Sequence, residues 1–366
     1  MKTIEAALES KYNNIDLIRI LAAILVLIAH SWPLTGSEVD PVAFVTGGLI
    51  GGGSLAVCVF FVLSGLLVTK SALERSAEDY VVSRLLRIVP ALLLVSLFDV
   101  IVIGGFFTTL GFREYVTSSI TFDHLLNFMV FPIQYNLPGV FEGGTYPHVN
   151  GSLWTLPIEC SLYVFLPILV MFRLLTKRMA ALSLLVFIAI SIYSSLYLNI
   201  SDANRGPFIF KAVQTWSLLH YGLFFFIGSF SYIYRKEIPL SGALTILMAI
   251  AMYVAKGTTS QTAVLYLTVS YITIFVAIGI PQIFSLKKIG DLSYGTYIFA
   301  WPVQKSVITA FALTNPVAVI IFALPLTLFL AYGSWRYVER PMLNLKRRFV
   351  SRSSGAVGSD APPASS

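Results

Sequence analysis

The sequence predicts an all-α protein, a polytopic transmembrane helical bundle of about ten spans with both termini in the cytoplasm. Three observations carry that prediction. The 366 residues are 57% apolar and 12% charged, with a mean hydropathy of +0.81, whereas an average soluble domain is about 25% charged. The 25 basic and 18 acidic residues sit in short clusters between apolar runs of about twenty residues, the helix length that crosses a hydrocarbon layer of about 30 Å. The basic residues are also distributed unevenly, dense in every second segment between runs. Together these exclude a soluble enzyme, a secreted disulfide scaffold and a disordered chain.

The apolar runs lie at 15–35, 48–69, 88–108, 152–172, 179–199, 214–234, 238–255, 261–283, 290–311 and 315–335. Lipid offers the backbone no hydrogen-bond partners, so each run is read as a helix. The first is too long for a cleaved signal peptide and continues into Trp32-Pro33 without a small-residue cleavage site. With the amino terminus inside, the inner segments hold 19 of the 25 basic residues. The outer segments hold Arg113, Arg205, Lys211 and Lys256, and only Arg19 and Lys305 fall within runs. Inner loops carry the basic excess in membrane proteins, so this asymmetry sets the orientation. The net charge of +7 therefore reports topology, and no nucleic-acid partner is expected. The outer connection 109–151 contains LLNFMVFPI at 125–133, too short to span and read as re-entrant or interfacial. Residues 1–350 form one integral-membrane domain; the Ser-, Ala-, Gly- and Pro-rich segment 351–366 is expected to be a disordered cytoplasmic tail. Cys58 and Cys160 lie inside apolar runs and give no disulfide framework or metal-ligand spacing, so no metal is expected.

Ionisable side chains inside spans are costly, which makes each a functional candidate. Arg19 and His30 share the first run eleven positions apart. At 100° per residue they lie about 20° from a common face, and they stand roughly 16 Å apart along the axis. Two jobs at two depths fit this spacing; snorkelling of Arg19 with His30 capping a helix end fits it too. Glu159 stands a turn or two into the fourth run and needs a partner. His30 is a suitable one, since a carboxylate orients an imidazole and raises its basicity; a structural ion pair or a protonated Glu is the alternative. Arg84 and Arg87 are three apart at a helix start, placed either to grip phosphate bidentately or to anchor the inner surface. Ser64-Gly65 interrupts an aromatic run, permitting close helix packing or leaving a gap for a bound chain. Lys305 is read as reaching the outer interface with no role assigned, His124 and His148 as placed to bind acceptor or simply solvated, and His220 as a core histidine.

Five runs in order resemble the acyltransferase-3 family of integral-membrane acyltransferases. They are NIDLIRILAAILVLIAHSWP around Arg19 and His30, FFVLSG at 60–65, RLLRIVP at 84–90, GSLWTLPIE at 151–159, and LSYGTYIFAWPVQ at 292–304 followed by ERP at 339–341. The resemblance covers nearly the whole chain. It implies acyl transfer, usually of acetyl from cytoplasmic acetyl-CoA, with His30 catalytic and arginines serving the donor. On that basis Arg19 and Glu159 join His30 as catalytic candidates, and Arg84, Arg87, Ser64, Gly65 and Trp154 are assigned to the donor. Two positions depart from the family pattern. Ser83 stands where an arginine is common, and Trp301 precedes Pro302 where a histidine is frequent, which concentrates the chemistry on His30. No fused hydrolase-like domain is expected.

The function this implies is an O-acyltransferase of the bacterial cytoplasmic membrane. It would move acetyl from acyl-CoA to a hydroxyl of an extracytoplasmic or lipid-linked glycan such as O antigen, with membrane lipid as its surroundings. A transporter or flippase is the competing class, since ten spans with intramembrane charge also describe a carrier.

Overall fold

Each of the ten apolar runs is helical in the computed structural model, which describes residues 2–37, 39–143, 146–209 and 212–345. The tail 351–366 and the basic residues Lys211, Lys346, Arg347, Arg348 and Arg352 lie outside the described residues. In chain order the helices are α1 (Ile15–Leu34), α2 (Gly52–Glu74), α3 (Ala77–Phe98), α4 (Leu156–Met171), α5 (Lys177–Tyr197), α6 (Thr215–Ile233), α7 (Gly242–Val254), α8 (Gln261–Ile274), α9 (Ser293–Phe311) and α10 (Pro316–Ser334). Helices α3, α8 and α10 run on into π-turns at Asp99–Ile103, Phe275–Gly279 and Trp335–Glu339. The described residues contain only two strand pairs, each of two-residue strands. The chain is thus an all-α polytopic helical bundle.

Eight of these helices are long and apolar enough to cross a membrane unaided; α7 and α9 are the two that are not. Helix α7 has only 13 residues, about 20 Å at 1.5 Å per residue. Helix α9 fails for a different reason. It has the length, 19 residues, but carries Ser, Thr, Gln and Lys. Most of it is buried between α1 and α10, so protein rather than lipid surrounds its polar side chains.

The helix ends sort into two faces. On one, Lys2–Thr3 pairs antiparallel with Pro239–Leu240, Asn14 Nδ2 donates to Pro281 O at 3.0 Å, and Arg87 meets Glu339. The amino terminus, the segments after α6 and α8, and the described end of the chain therefore share a side, as an even number of crossings requires. The opposite face gathers His30, the connection after α1, and residues 108–150. That connection carries short helices at Phe112–Thr117 and Ser119–Leu125 and a 3-10 turn at Leu126–Met129. The stretch 125–133 is accordingly a turn folded back against α3 rather than a membrane crossing.

Helices α2 and α6 pack backbone to backbone. A Cβ added at Gly65 would sit 1.9 Å from Phe225 O, and one at Gly228 would sit 2.2 Å from Val62 O. Only glycine permits that approach, and Thr69 Oγ1 donates to Ser229 Oγ at 2.8 Å one turn further along. Gly65 is therefore spent on the helix crossing. Gly65→Leu is expected to destabilise the fold by at least the roughly 1–3 kcal/mol typical of overpacked cores; thermal unfolding of the detergent-solubilised protein followed by size-exclusion chromatography measures this.

Candidate active site

One face of α9 and the turn before it pass the charged cluster, a large cavity and His30 in succession. At its start, Gly290 adopts φ +101, and a Cβ there would lie 1.7 Å from Trp335 Nε1; the turn that presents Asp291 thus needs glycine. Asp291 Oδ1 accepts from Ser293 N at 3.1 Å and Ser293 Oγ at 2.5 Å. Its Oδ2 accepts from Arg19 Nη1 of α1 at 2.7 Å and Arg87 Nη2 of α3 at 2.8 Å. Arg87 Nη1 also lies 3.5 Å from Glu339 Oε2, a carboxylate only 1% exposed that accepts from Ser334 Oγ. Four segments distant in sequence are thereby tied by charge. Breaking a buried pair strands its partner's charge, so this cluster fixes where the arginines point.

Arg19, Arg84 and Arg87 line a cavity of about 830 Å³ together with Arg75, Asp79 and Asp291. That volume falls in the range of about 300–1,000 Å³ typical of small-molecule sites. Arg84 lies 5.6 Å from the Tyr163 ring centroid, and its Nε has no hydrogen-bond partner among the described residues. Ser64 and Glu159 form the wall deeper in; Glu159 accepts hydrogen bonds from Ser64 Oγ and Tyr163 OH. Toward the end nearest His30 the lining includes Val57, Thr155 and Tyr297, the last two joined at 2.8 Å between their hydroxyls.

His30 lies just beyond that end and outside the cavity. A side chain begun at Gly53 would stand 3.7 Å from His30 Nε2. Gly53 is one turn, about 6 Å, from Val57 on α2, and Trp301 is one turn from Tyr297 on α9. The Trp301 ring meets the imidazole edge-on, with centroids 4.9 Å apart, and its indole N–H donates to His148 O at 3.0 Å. Gln304 Nε2 donates to Leu27 O and Ser31 Oγ, both at 2.8 Å, locking α9 against α1 beside His30. The buried His30 Nδ1 has no partner among the described residues.

Several positions differ from the sequence expectation. Glu159 bonds Ser64 and Tyr163, and no hydrogen bond joins it to His30 among the described residues. The reason is depth, since Glu159 stands a turn further along α4 than Thr155, on the side of the Thr155–Tyr297 pair away from His30. Gly65 faces α6 rather than the cavity. Trp154 is absent from the lining and packs on Tyr221, with centroids 5.3 Å apart. Lys305 is only 8% exposed instead of reaching the interface. His124 is fully buried, its Nε2 3.3 Å from Asp99 Oδ2, which also accepts from Asn150 Nδ2 at 3.1 Å. Asp99 opens the π-turn after α3, so this cluster pins the outer connection to the bundle. His220 is half-buried with its ring stacked on Trp216, and its Nδ1 is satisfied 2.6 Å from Tyr266 OH. Sequence reasoning missed Asp291 altogether; its local mark is the Gly-Asp-x-Ser turn that opens the ninth run, which signals a helix start but not the two arginines.

A family model described as an acyltransferase domain matches residues 12–336. The chain is 31% identical over 358 residues to an O-acetyl transferase of Shigella phage Sf6, covering 96% of this chain and 99% of the relative. It is 30% identical over 376 residues to nodulation protein 10 of Rhizobium leguminosarum bv. viciae, covering 93% and 95%. Peptidoglycan O-acetyltransferase OatA of Listeria monocytogenes is 24% identical over 369 residues, covering 90% of this chain and 55% of the relative. No solved structure matches. The chain belongs to the acyltransferase-3 family of integral-membrane acyltransferases and is an enzyme of acyl transfer.

Asp291→Asn removes the charge that orients two guanidinium groups. It is expected to cost up to about 3 kcal/mol of stability, the low end for breaking a buried ion pair. Glu339→Gln, which leaves Arg87 its stronger partner, should cost less. Parallel thermal unfolding of the two variants measures the difference.

Proposed function

We propose that this protein transfers acetyl from cytoplasmic acetyl-CoA to a hydroxyl of an extracytoplasmic or lipid-linked glycan, in the bacterial cytoplasmic membrane. The observation that carries the reading is the two-depth arrangement. An arginine-lined cavity opens on the side read as cytoplasmic, and a half-buried imidazole, its Nδ1 inaccessible, stands one helical turn past its inner end. Four guanidinium groups suit the phosphates of a nucleotide donor, and the aromatic and aliphatic inner wall suits its extended arm. The acetylating relatives support an acetyl group, and the phage enzyme's name supports O-linkage to an acceptor hydroxyl.

In this scheme the acceptor hydroxyl oxygen attacks the thioester carbonyl while His30 takes its proton. The tetrahedral intermediate collapses by breaking the carbon–sulfur bond, and the imidazolium returns the proton to the departing thiolate. The products are the O-acetyl ester and CoA. His30 has the Trp301 ring packed edge-on against it and the Asp40 carboxylate near it on the connection after α1, with no hydrogen bond to a carboxylate among the described residues. Glu159, with Tyr163 and Ser64, serves the cavity wall along which the donor arm lies. To reach the imidazole, the thioester passes the Thr155–Tyr297 pair. Membership of an acyltransferase family sets the transporter reading aside.

Incubating purified protein in nanodiscs with acetyl-labelled acetyl-CoA and extracted lipid-linked oligosaccharide tests the reading directly; label is expected on the saccharide, and its absence would sink the proposal. His30→Ala should abolish transfer while leaving membrane insertion intact. Arg19→Lys keeps the charge but loses the planar fork, and should raise the apparent KM for acetyl-CoA about tenfold, equivalent to about 1.4 kcal/mol. Cysteines placed beside Lys236 should label from the cytoplasm and those beside Lys256 from outside.

A further inference from the structure

A second cavity, of about 460 Å³, lies at the opposite end of the α9 face. Its walls include Leu34, Phe107, Phe141, Glu142, Tyr146 and Lys305. Its position relative to the imidazole follows from helix arithmetic. Leu34 is four residues past His30 on α1, and Lys305 is four past Trp301 on α9, so the cavity begins one turn, about 6 Å, outward of both. The Tyr146 ring bridges the two levels, edge-on to Trp301 with centroids 6.1 Å apart.

The chemistry of the lining is unusual for a void between helices. Lys305 is buried on a membrane helix, where an ammonium is expensive, yet among the described residues it makes no ion pair and no hydrogen bond. Its one contact of that kind is with the Phe141 ring, 5.1 Å from the centroid. Glu142 lines the same cavity without pairing with it. One of its oxygens accepts from Gly139 N at 2.8 Å, and the other makes no hydrogen bond among the described residues. A lysine that only donates and a carboxylate that only accepts thus line one space without neutralising each other. Phe107 and Phe141, with rings 5.2 Å apart, add an aromatic wall. The negative faces of such rings attract polarised C–H edges.

A neutral pyranose matches this set. It presents an apolar C–H face to aromatic rings and a rim of hydroxyls that both accept and donate. We propose that this outer cavity is the acceptor subsite, binding a neutral saccharide unit with Lys305 donating to one hydroxyl oxygen and Glu142 accepting from another hydroxyl. This inference rests on the acetyl-transfer reading, and it adds where the acceptor sits and which side chains select it. The hydroxyl to be acetylated then faces inward to His30, opposite the thioester.

The test is binding of tritium-labelled lipid-linked oligosaccharide, extracted from bacterial membranes, to the full-length protein in nanodiscs without any donor. Binding without donor reads the cavity whether or not transfer occurs, so its failure is distinguishable from failure of the acetyl-transfer reading. Lys305→Met and Glu142→Gln should each weaken binding about tenfold or more, with Lys256→Met, on another outer segment, as the unchanged control. Should Lys305→Met not fold to a monodisperse species, Glu142→Gln and Tyr146→Ala, both at exposed positions, carry the test. Wild-type affinity in the folded variants, or competition by a uronic-acid oligosaccharide as strong as by its neutral counterpart, would overturn the assignment.

Discussion

A single carboxylate oxygen, Asp291 Oδ2, holds two guanidinium groups from helices that are otherwise unrelated in sequence. Much of the site depends on that arrangement. Arg19 enters from α1, Arg87 from α3, and Glu339 approaches Arg87 from the π-turn that follows α10. Four positive side chains around one apolar cavity would repel one another and drift toward water. With Asp291 between two of them, their forks are fixed in direction while the cavity keeps a net positive lining, since Arg75 and Arg84 remain toward the mouth. Holding an anion-binding group still before the anion arrives is the condition for electrostatic recognition that costs little reorganisation.

From that anchor, α9 organises the rest. Asp291, Tyr294, Tyr297, Trp301 and Lys305 recur at three- or four-residue intervals, the spacing of one helix face. They occupy, in turn, the charged cluster, the cavity wall, its inner end, the imidazole contact and the outer cavity. Such a face is too polar for lipid, and α9 survives in the bundle because α1 and α10 cover it. The glycine crossing of α2 and α6 secures the opposite wall, letting Ser64 and Phe61 approach α4 closely enough to narrow the cavity between them.

Most of this architecture was legible as hydropathy. The ten runs, the shared side of the chain ends and the alignment of Arg19 with His30 all follow from helix geometry and the cost of burying charge. What escaped was pairing across sequence. Glu159 looked unpaired because its nearest acceptable partner, Tyr163, is one turn ahead on its own helix and reads as an apolar residue. Asp291 stands at the opening of the ninth run, where nothing local reveals that two arginines from 200 and more residues away converge on it. Lys305 and His124 were misread for one reason: the connection 108–150 folds back over the bundle, turning positions that a linear reading leaves at the interface into buried ones. For Asp291, Lys305 and His124 the deciding fact is tertiary, whereas the Glu159–Tyr163 pair is a local one, four residues apart on one helix.

The measurement that tests the account most directly is a cryo-electron microscopy map of the protein in nanodiscs with bound CoA. For a cytoplasmic acetyl-CoA donor the nucleotide phosphates should lie among Arg19, Arg75, Arg84 and Arg87, with the arm running past Ser64 and Glu159 and its sulfur directed past the Thr155–Tyr297 pair toward His30. CoA density elsewhere, or in this cavity with the sulfur pointing away from His30, would contradict it.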